Sequence, residues 1–417
     1  MNRPLTSKDK ATNTDWLTRF YQRLVHRQLS RIRHGCIYLH TTESAYQFGD
    51  SEADIKVTLT VYHPRFFRSL VQAGSIGVAE SYMAGEWHCS DLTGLIRIMA
   101  RNLDLSDAVE HGPARIAGWV LRAWHDRNRN NLRGSRKNIA AHYDLGNDLF
   151  SLFLDKDWMM YSSGLYLRNE DTLEQAQHQK LQRLCDKLDL QASDHLLEIG
   201  TGWGGCAIFA AKHYGCRVTT TTISQAQFDY VNARIKQAGL QNQVTVLMQD
   251  YRELTGEYDK LVSIEMVEAV GHHYLDDYFE CCSALLATDG LAIIQAITIA
   301  DHRYDQAVKS VDFIKRYIFP GSFIPSVCVL TESAAASRLR LINLEDIGPS
   351  YALTLAEWRH RFMSQLDTIR RQGYPDEFIR MWEFYLCYCE GGFAERTIGD
   401  VQLLFAKPDN RRSQWVA

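Results

Sequence analysis

From residue 195 to 297 the chain alternates short apolar runs with longer amphipathic ones, and this alternation constrains the fold more than any other feature. Strands are predicted at 195–199, 216–222, 243–248, 259–264 and 290–297, and helices at 203–214, 225–238 and 273–287. A parallel strand pair needs a crossover, and a crossover helix covers the sheet face, so this pattern implies a parallel, doubly wound α/β sheet. A helix over 172–189, with Leu173, Ala176, Leu181, Leu184 and Leu188 on one side, leads into it.

The first strand closes on Glu198-Ile199-Gly200-Thr201-Gly202-Trp203-Gly204. Glycines here let the backbone turn tightly and meet a ligand closely. A dinucleotide turn offers bare amides to a pyrophosphate. A carboxylate ahead of Gly-x-Gly-x-Gly instead suits S-adenosylmethionine (SAM), which carries a cationic methionyl group and no phosphate. The second strand ends in Thr222-Ile223-Ser224-Gln225-Ala226-Gln227, where hydroxyls and Gln227 stand in place of the usual acidic ribose ligand. Asp250-Tyr251 follows the third strand and offers a carboxylate and a ring to bracket an adenine. The run Ser263 to Gly271, containing Glu268, lies at the fourth strand end, in the crevice where such sheets bind ligands.

Upstream, 14–33 reads as an amphipathic helix with Leu17, Phe20, Leu24 and Ile32 near one face and Arg19, Arg23, Arg27, Arg31 and Arg33 around the rest. Either it rests on anionic lipid or it is a docked helix with a solvated basic side. Residues 36–40 and 55–61 alternate as strands, and a helix opens at His63-Pro64-Arg65, giving a small α+β unit that ends near 103. Between 112 and 138, Arg115, Arg122, Arg127, Arg129, Arg133, Arg136 and Lys137 mark a basic linker or arm. Nucleic acid or a phosphate-rich membrane would fit that patch equally, although its aromatics, Trp119 and Trp124, precede the densest basic run and are not interleaved with it as stacking platforms.

Net charge is −4, so attraction to anions must be local. The ten cysteines form no Cys-x-x-Cys, and reduced cytoplasmic thiols are expected. The N-terminus lacks an apolar signal core, and no run approaches the roughly 18 apolar residues of a membrane span. His272 and His273 have no ligand partners at useful spacing, so no metal site is expected.

Taken jointly, His142-Tyr143-Asp144-Leu145-Gly146-Asn147, Tyr161-Ser162, the glycine turn with Trp203, Thr222-Ile223-Ser224 and Tyr317-Ile318-Phe319-Pro320-Gly321 make the chain resemble the SAM-dependent cyclopropane-fatty-acyl-phospholipid synthases and their mycolic-acid relatives. The resemblance covers about 64 to 405, including Gly74-Ser75-Ile76-Gly77 and Glu80-Ser81-Tyr82-Met83. It implies a Rossmann-like methyltransferase domain over 139–417, a basic linker over 112–138, and a smaller N-terminal α+β lipid-binding domain over 1–111.

The reaction it implies is methylene transfer from SAM to a cis double bond of a phospholipid acyl chain, with a bound bicarbonate ion as base. Its bicarbonate contacts fall on Ser163, Glu268, Gln295, Ile297 through its backbone, and Tyr351. Ser163 stands where cyclopropane-forming members usually have Cys, Gln295 where His can occur, and Ala269 where His is usual. An active thiol falls on Cys389, for which a buried structural thiol is the plainer account. SAM contacts fall on Tyr161, Ser162, Glu198 to Gly204, Thr222 to Gln227, Asp250 and Tyr251. Tyr166, Tyr251, Tyr317 and Phe319 would flank a cationic intermediate, or simply pack.

The implied partner is an unsaturated phospholipid in an anionic membrane, met from the cytoplasm at the inner face of the cell membrane. No nucleic acid is implied, and a homodimer is left open. A same-fold carbon methyltransferase giving a branched or methyl-alkene chain is the nearest rival, on account of positions 163, 269 and 295. A non-catalytic lipid-binding protein is opposed by the intact glycine turn and Glu268. A nucleic-acid amino-methylating enzyme is opposed by the absence of any Pro-Pro.

Overall fold

The computed structural model describes residues 16–103 and 146–412. The basic stretch 112–138, the boundary near 138 and His142 to Leu145 lie outside them. The N-terminal unit is a four-stranded sheet with β1 (Cys36–His40), β2 (Ala45–Gly49), β3 (Lys56–Val61) and β4 (Trp87–Cys89) in the order β2-β1-β3-β4. Its helices are α1 (Trp16–Leu29), α2 (Arg65–Met83) and α3 (Leu92–Arg101), the last capped by Asp91 accepting from the Gly94 amide at 2.8 Å.

The docked side of α1 differs from the expected one. Val25 is buried with Tyr21 and Leu29 packed beside it, an i, i+4, i+8 stripe. Phe20 is 49% exposed, and Ile32 is buried beyond the helix end.

The larger unit holds seven strands in the order β10-β11-β9-β8-β5-β6-β7. These are β5 (His195–Ile199), β6 (Arg217–Thr222), β7 (Val244–Met248), β8 (Tyr258–Ile264), β9 (Leu286–Ile299), β10 (Arg340–Asp346) and β11 (Ile398–Ala406). Strands β5 to β9 pair in parallel. Strands β11 and β10 extend the sheet antiparallel at one edge, which the alternation did not reveal, so the sheet is mostly rather than wholly parallel. The central strands are buried on both faces, as Leu196-Leu197 and Ala292-Ile293-Ile294 illustrate.

Around and after this sheet run α4 (Asn147–Phe150), α5 (Leu173–Leu188), α6 (Gly205–Tyr214), α7 (Gln225–Ala238), α8 (Leu275–Leu285), α9 (Asp301–Lys309), α10 (Val327–Ala336), α11 (Gly348–Ser364), α12 (Leu366–Arg371) and α13 (Asp376–Ala394). Helix α5 begins with a reciprocal capping box between Thr172 and Gln175. Helices α11 and α13 pack together, and α13 also lies on α2 and α3. One apolar core therefore joins Leu39 and Trp87 of the N-terminal unit to Phe150, Trp358 and Phe384. Strand order reverses at β5, between β6 and β8, and the crevice at that switch point holds the site.

Candidate active site

Where β5 ends, Gly200, Gly202 and Gly204 take φ of +97°, +51° and +82°. A Cβ on Gly204 would stand 2.8 Å from Val231 Cγ1, so the residue before α6 must be small for α7, which carries Val231, to pack against it. A Cβ on Gly202 would meet no protein atom within 4 Å, and the backbone there faces open cavity. Glu198 is buried at the strand end, accepts from Thr220 Oγ1 at 2.6 Å, and burial pushes its carboxyl up to about 7. Trp203 lines the cavity, fixed by its Nε1 donating to Asn147 Oδ1 at 2.8 Å.

At the end of β6, Thr222 and Ile223 line the cavity, and Thr222 Oγ1 donates to Gln227 Oε1 at 2.8 Å. Ser224 caps α7 by accepting from the Gln227 amide, whereas the exposed Gln225 bonds Asp229. Gln225 and Ala226 do not reach the cavity wall. Asp250 is gripped by Arg252 at 2.7 and 2.8 Å. Beside it, the Tyr251 hydroxyl is buried with no protein hydrogen-bond partner. Open space over Gly202 after β5 and an orphaned hydroxyl after β7, two strands along on the same cavity wall, fit a nucleoside cofactor.

The far side of the crevice is built around a residue the sequence reading passed over. Glu265 follows β8 with φ +48°. Its Oε1 accepts from the Ser163 amide at 2.8 Å and from Gln295 Nε2 at 2.9 Å, and its Oε2 accepts from the Tyr351 hydroxyl at 2.6 Å. Glu268, three residues on, accepts from the Ile297 amide at 2.6 Å through Oε1, while its Oε2 is buried and unpartnered. Burial first, and then the Glu265 charge, push Glu268 up to about 8.

Sheet register completes the cluster. Antiparallel pairing sets Gln402 opposite Gln295 and Asp400 opposite Ile297, and Asp400 Oδ2 accepts from Gln295 Nε2 at 3.1 Å. Burial and the neighbouring Glu265 hold Asp400 well above the usual carboxylate range. Lys180, wholly buried on α5, donates to Ser162 Oγ at 2.7 Å, and burial lowers it to about 8.

Glu265, Glu268, Tyr351, Tyr161, Ser162 and Cys389 all reach the cavity wall. Ser163 and Gln295 stand behind Glu265 and do not. The Ser163 hydroxyl donates to the Gly164 carbonyl, so this residue offers only its amide to the cluster. Burial pushes the Cys389 thiol far above its usual value, which disfavours a thiolate. Of the four aromatics expected near a cation, Tyr251 and Phe319 line the cavity, while Tyr166 and Tyr317 do not. Tyr317 instead bonds Glu80. No group of three or more metal-ligating side chains occurs among the described residues.

The cavity measures 1330 Å³ and continues from the cofactor crevice between α2, α3 and the first sheet, where Leu39, Leu59, Phe66, Leu70, Trp87 and Leu95 line it. Sheet order, glycine turn and orphaned hydroxyl together define a SAM-dependent methyltransferase.

The chain belongs to the mycolic acid cyclopropane synthetase family, whose model matches residues 130–403. It is 38% identical over 335 residues to the tuberculostearic acid methyltransferase of Mycobacterium tuberculosis, covering 78% of this chain and 77% of that one. It is 36% identical over 362 residues to the cyclopropane-fatty-acyl-phospholipid synthase of Escherichia coli K12, covering 86% and 89%. Among solved structures, the cyclopropane synthase MmaA2 from Mycobacterium tuberculosis aligns at a TM-score of 0.61 with 29% identity, over 65% of this chain and 98% of that one. The mycolic acid cyclopropane synthase CmaA1, complexed with SAH and CTAB, aligns with the same score, identity and coverage.

Proposed function

We propose that this chain transfers a one-carbon unit from SAM to a double bond of an unsaturated acyl chain in a membrane phospholipid and closes it into a cyclopropane ring. The observation that carries this reading is the continuity of the cavity. One end is the glycine turn, the middle is a carboxylate cluster, and the other end is an apolar wall suited to an acyl chain. Bound SAM supplies an electrophilic methyl group.

The chain's own residues then do three things. Gly202 and its neighbours let backbone approach the cofactor, with Tyr251 and Asp250 at the adjoining strand ends. The apolar wall excludes water from a short-lived carbocation. Rings at the wall, Tyr161 and Phe319 among them, face that cation at about 1–2 kcal/mol each when desolvated. The lipid comes from an anionic membrane met from the cytoplasmic side. Trp16 and Phe20 stand exposed on α1 among Arg19, Arg23 and Arg27, a combination suited to such a surface. No helix among the described residues is long and apolar enough to cross a membrane.

A second reading is carbon methylation without ring closure. It is favoured by the name of the tuberculostearic acid methyltransferase relative and by Ser163, Ala269 and Gln295. Incubating the protein with SAM and vesicles of unsaturated phosphatidylglycerol tests both. The expected product gains the mass of one methylene and shows the upfield proton resonances of a cyclopropane. A branch methyl or a methyl-substituted alkene in the heavier product would select the second reading, and SAH release with unchanged lipid would overturn both.

A further inference from the structure

We propose that Glu265 is this enzyme's own catalytic base, its carboxylate standing where the family resemblance puts a bicarbonate ion. The inference rests on the function proposed above. Five groups were expected to hold that ion, and in the structure the four donors are spent within the protein, while Glu268 keeps one buried oxygen unpartnered. The Ser163 amide, Gln295 Nε2 and the Tyr351 hydroxyl converge on the two Glu265 oxygens at 2.6–2.9 Å. The Ile297 amide goes to Glu268, the fifth group. Gln295 is used up further, with Nε2 also reaching Asp400 and Oε1 accepting from Gln402 Nε2 at 3.2 Å.

Position makes the same point. Ser163 and Gln295 are wholly buried behind Glu265, and Glu265 itself lines the cavity beside Glu268 and Tyr351. An added anion would meet a carboxylate, not the donors that should hold it. A tethered carboxylate with three fixed donors is oriented before substrate arrives, so no ion has to be captured. Gln295 Nε2 reaches both Glu265 and Asp400, and burial together with the Glu265 charge favours the acid form of Asp400. Burial raises the Glu265 carboxyl as well, but it accepts three hydrogen bonds against one each for Glu268 and Asp400, and those donors favour its charged form. Its φ of +48° is a conformation that side-chain-bearing residues seldom adopt, held here at a reacting centre.

The alkene π pair bonds to the SAM methyl carbon as the sulfur–methyl bond breaks toward sulfur, leaving a cation on the neighbouring chain carbon. A Glu265 oxygen takes one proton from the new methyl, and the freed C–H pair forms the last ring bond. The carboxylate becomes a carboxylic acid and returns its proton to water once product leaves.

The test uses the full-length protein, SAM and unsaturated phosphatidylglycerol vesicles in carbon-dioxide-free buffer, with and without added bicarbonate. Wild type should form lipid product at rates within about twofold in the two buffers. Glu265→Gly places the residue that best tolerates this φ, and opens the ion's place. It should lose about 100-fold or more in rate without anion and regain about tenfold or more with bicarbonate or formate. Glu265→Gln fills the same space with an amide and should be equally slow but not rescued, with SAM binding by calorimetry showing that it is folded. Wild type that needs bicarbonate, or either variant at full rate without it, would overturn the base assignment while leaving the lipid reaction standing. SAH release without lipid product from wild type in both buffers would instead overturn the function itself.

Discussion

Glu268 has one bonded oxygen and one orphaned oxygen, both buried, and its protonation makes a measurable prediction. Its carboxyl titrates near about 8 in the fold against 4.5 for the free side chain. Between those values the folded chain holds a proton that the unfolded chain releases, so stability falls as pH rises through this window and levels above it. Glu268→Gln keeps an acceptor for the Ile297 amide and removes the titration. Its stability relative to wild type should therefore grow from about pH 5 to pH 8, by at most about 4 kcal/mol. Thermal melts of both proteins across that range check it, and parallel curves would contradict it.

Gly202→Val places a branched side chain at φ +51° in the open space over the turn. SAM affinity should drop by at least about 2–3 kcal/mol in calorimetry, with the fold intact. The residues at the glycine turn were legible because turn chemistry is local. Glu265 was not. Its role depends on a left-handed backbone after β8 and on donors from residues 163, 295 and 351, which only the assembled sheet brings together.

Helix α2 shows how an element shapes the site. Its helical run breaks at Gly74, with φ 57° and ψ −137°, and a Cβ on Gly77 would lie 2.1 Å from the Ser69 carbonyl oxygen. Ala73, Ser75, Ile76 and Val78 around that break line the cavity. Gly77→Ala must push two backbone segments apart, so unfolding stability should fall by about 2–4 kcal/mol in denaturant titration, whereas an unchanged midpoint would contradict the close approach.

The elements from 195 to 297 were readable because each carries its own period, and Gln225–Ala238 matches its expected bounds. Strands β10 and β11 escaped because each pairs antiparallel with a strand distant in sequence, β10 with β11 and β11 with β9. On α1 the basic side was legible, while the docked stripe was not, since Leu17, Phe20 and Leu24 make as good a helical face as Tyr21, Val25 and Leu29.

At the scale of the whole molecule, the two sheets share one core and one cavity, so the glycine turn and the apolar wall belong to one structure. With a net charge of −4, the proposed attraction to a membrane has to come from local basic surfaces such as α1. Replacing Trp16 and Phe20 together with Ser should cut partition onto anionic vesicles by about tenfold, and added salt should weaken wild-type binding steeply, with SAM affinity unchanged. Vesicle sedimentation that ignores both changes would remove α1 from lipid docking.

The most direct test of the account follows the transferred carbon. SAM bearing a trideuterated methyl group is supplied with unsaturated phospholipid vesicles, and the modified acyl chain is analysed by mass spectrometry and NMR. If the methyl joins the double bond and Glu265 then takes a proton from it, the product holds a cyclopropane methylene that retains two of the three deuterons. A product retaining all three on an intact methyl group would contradict ring closure through that base.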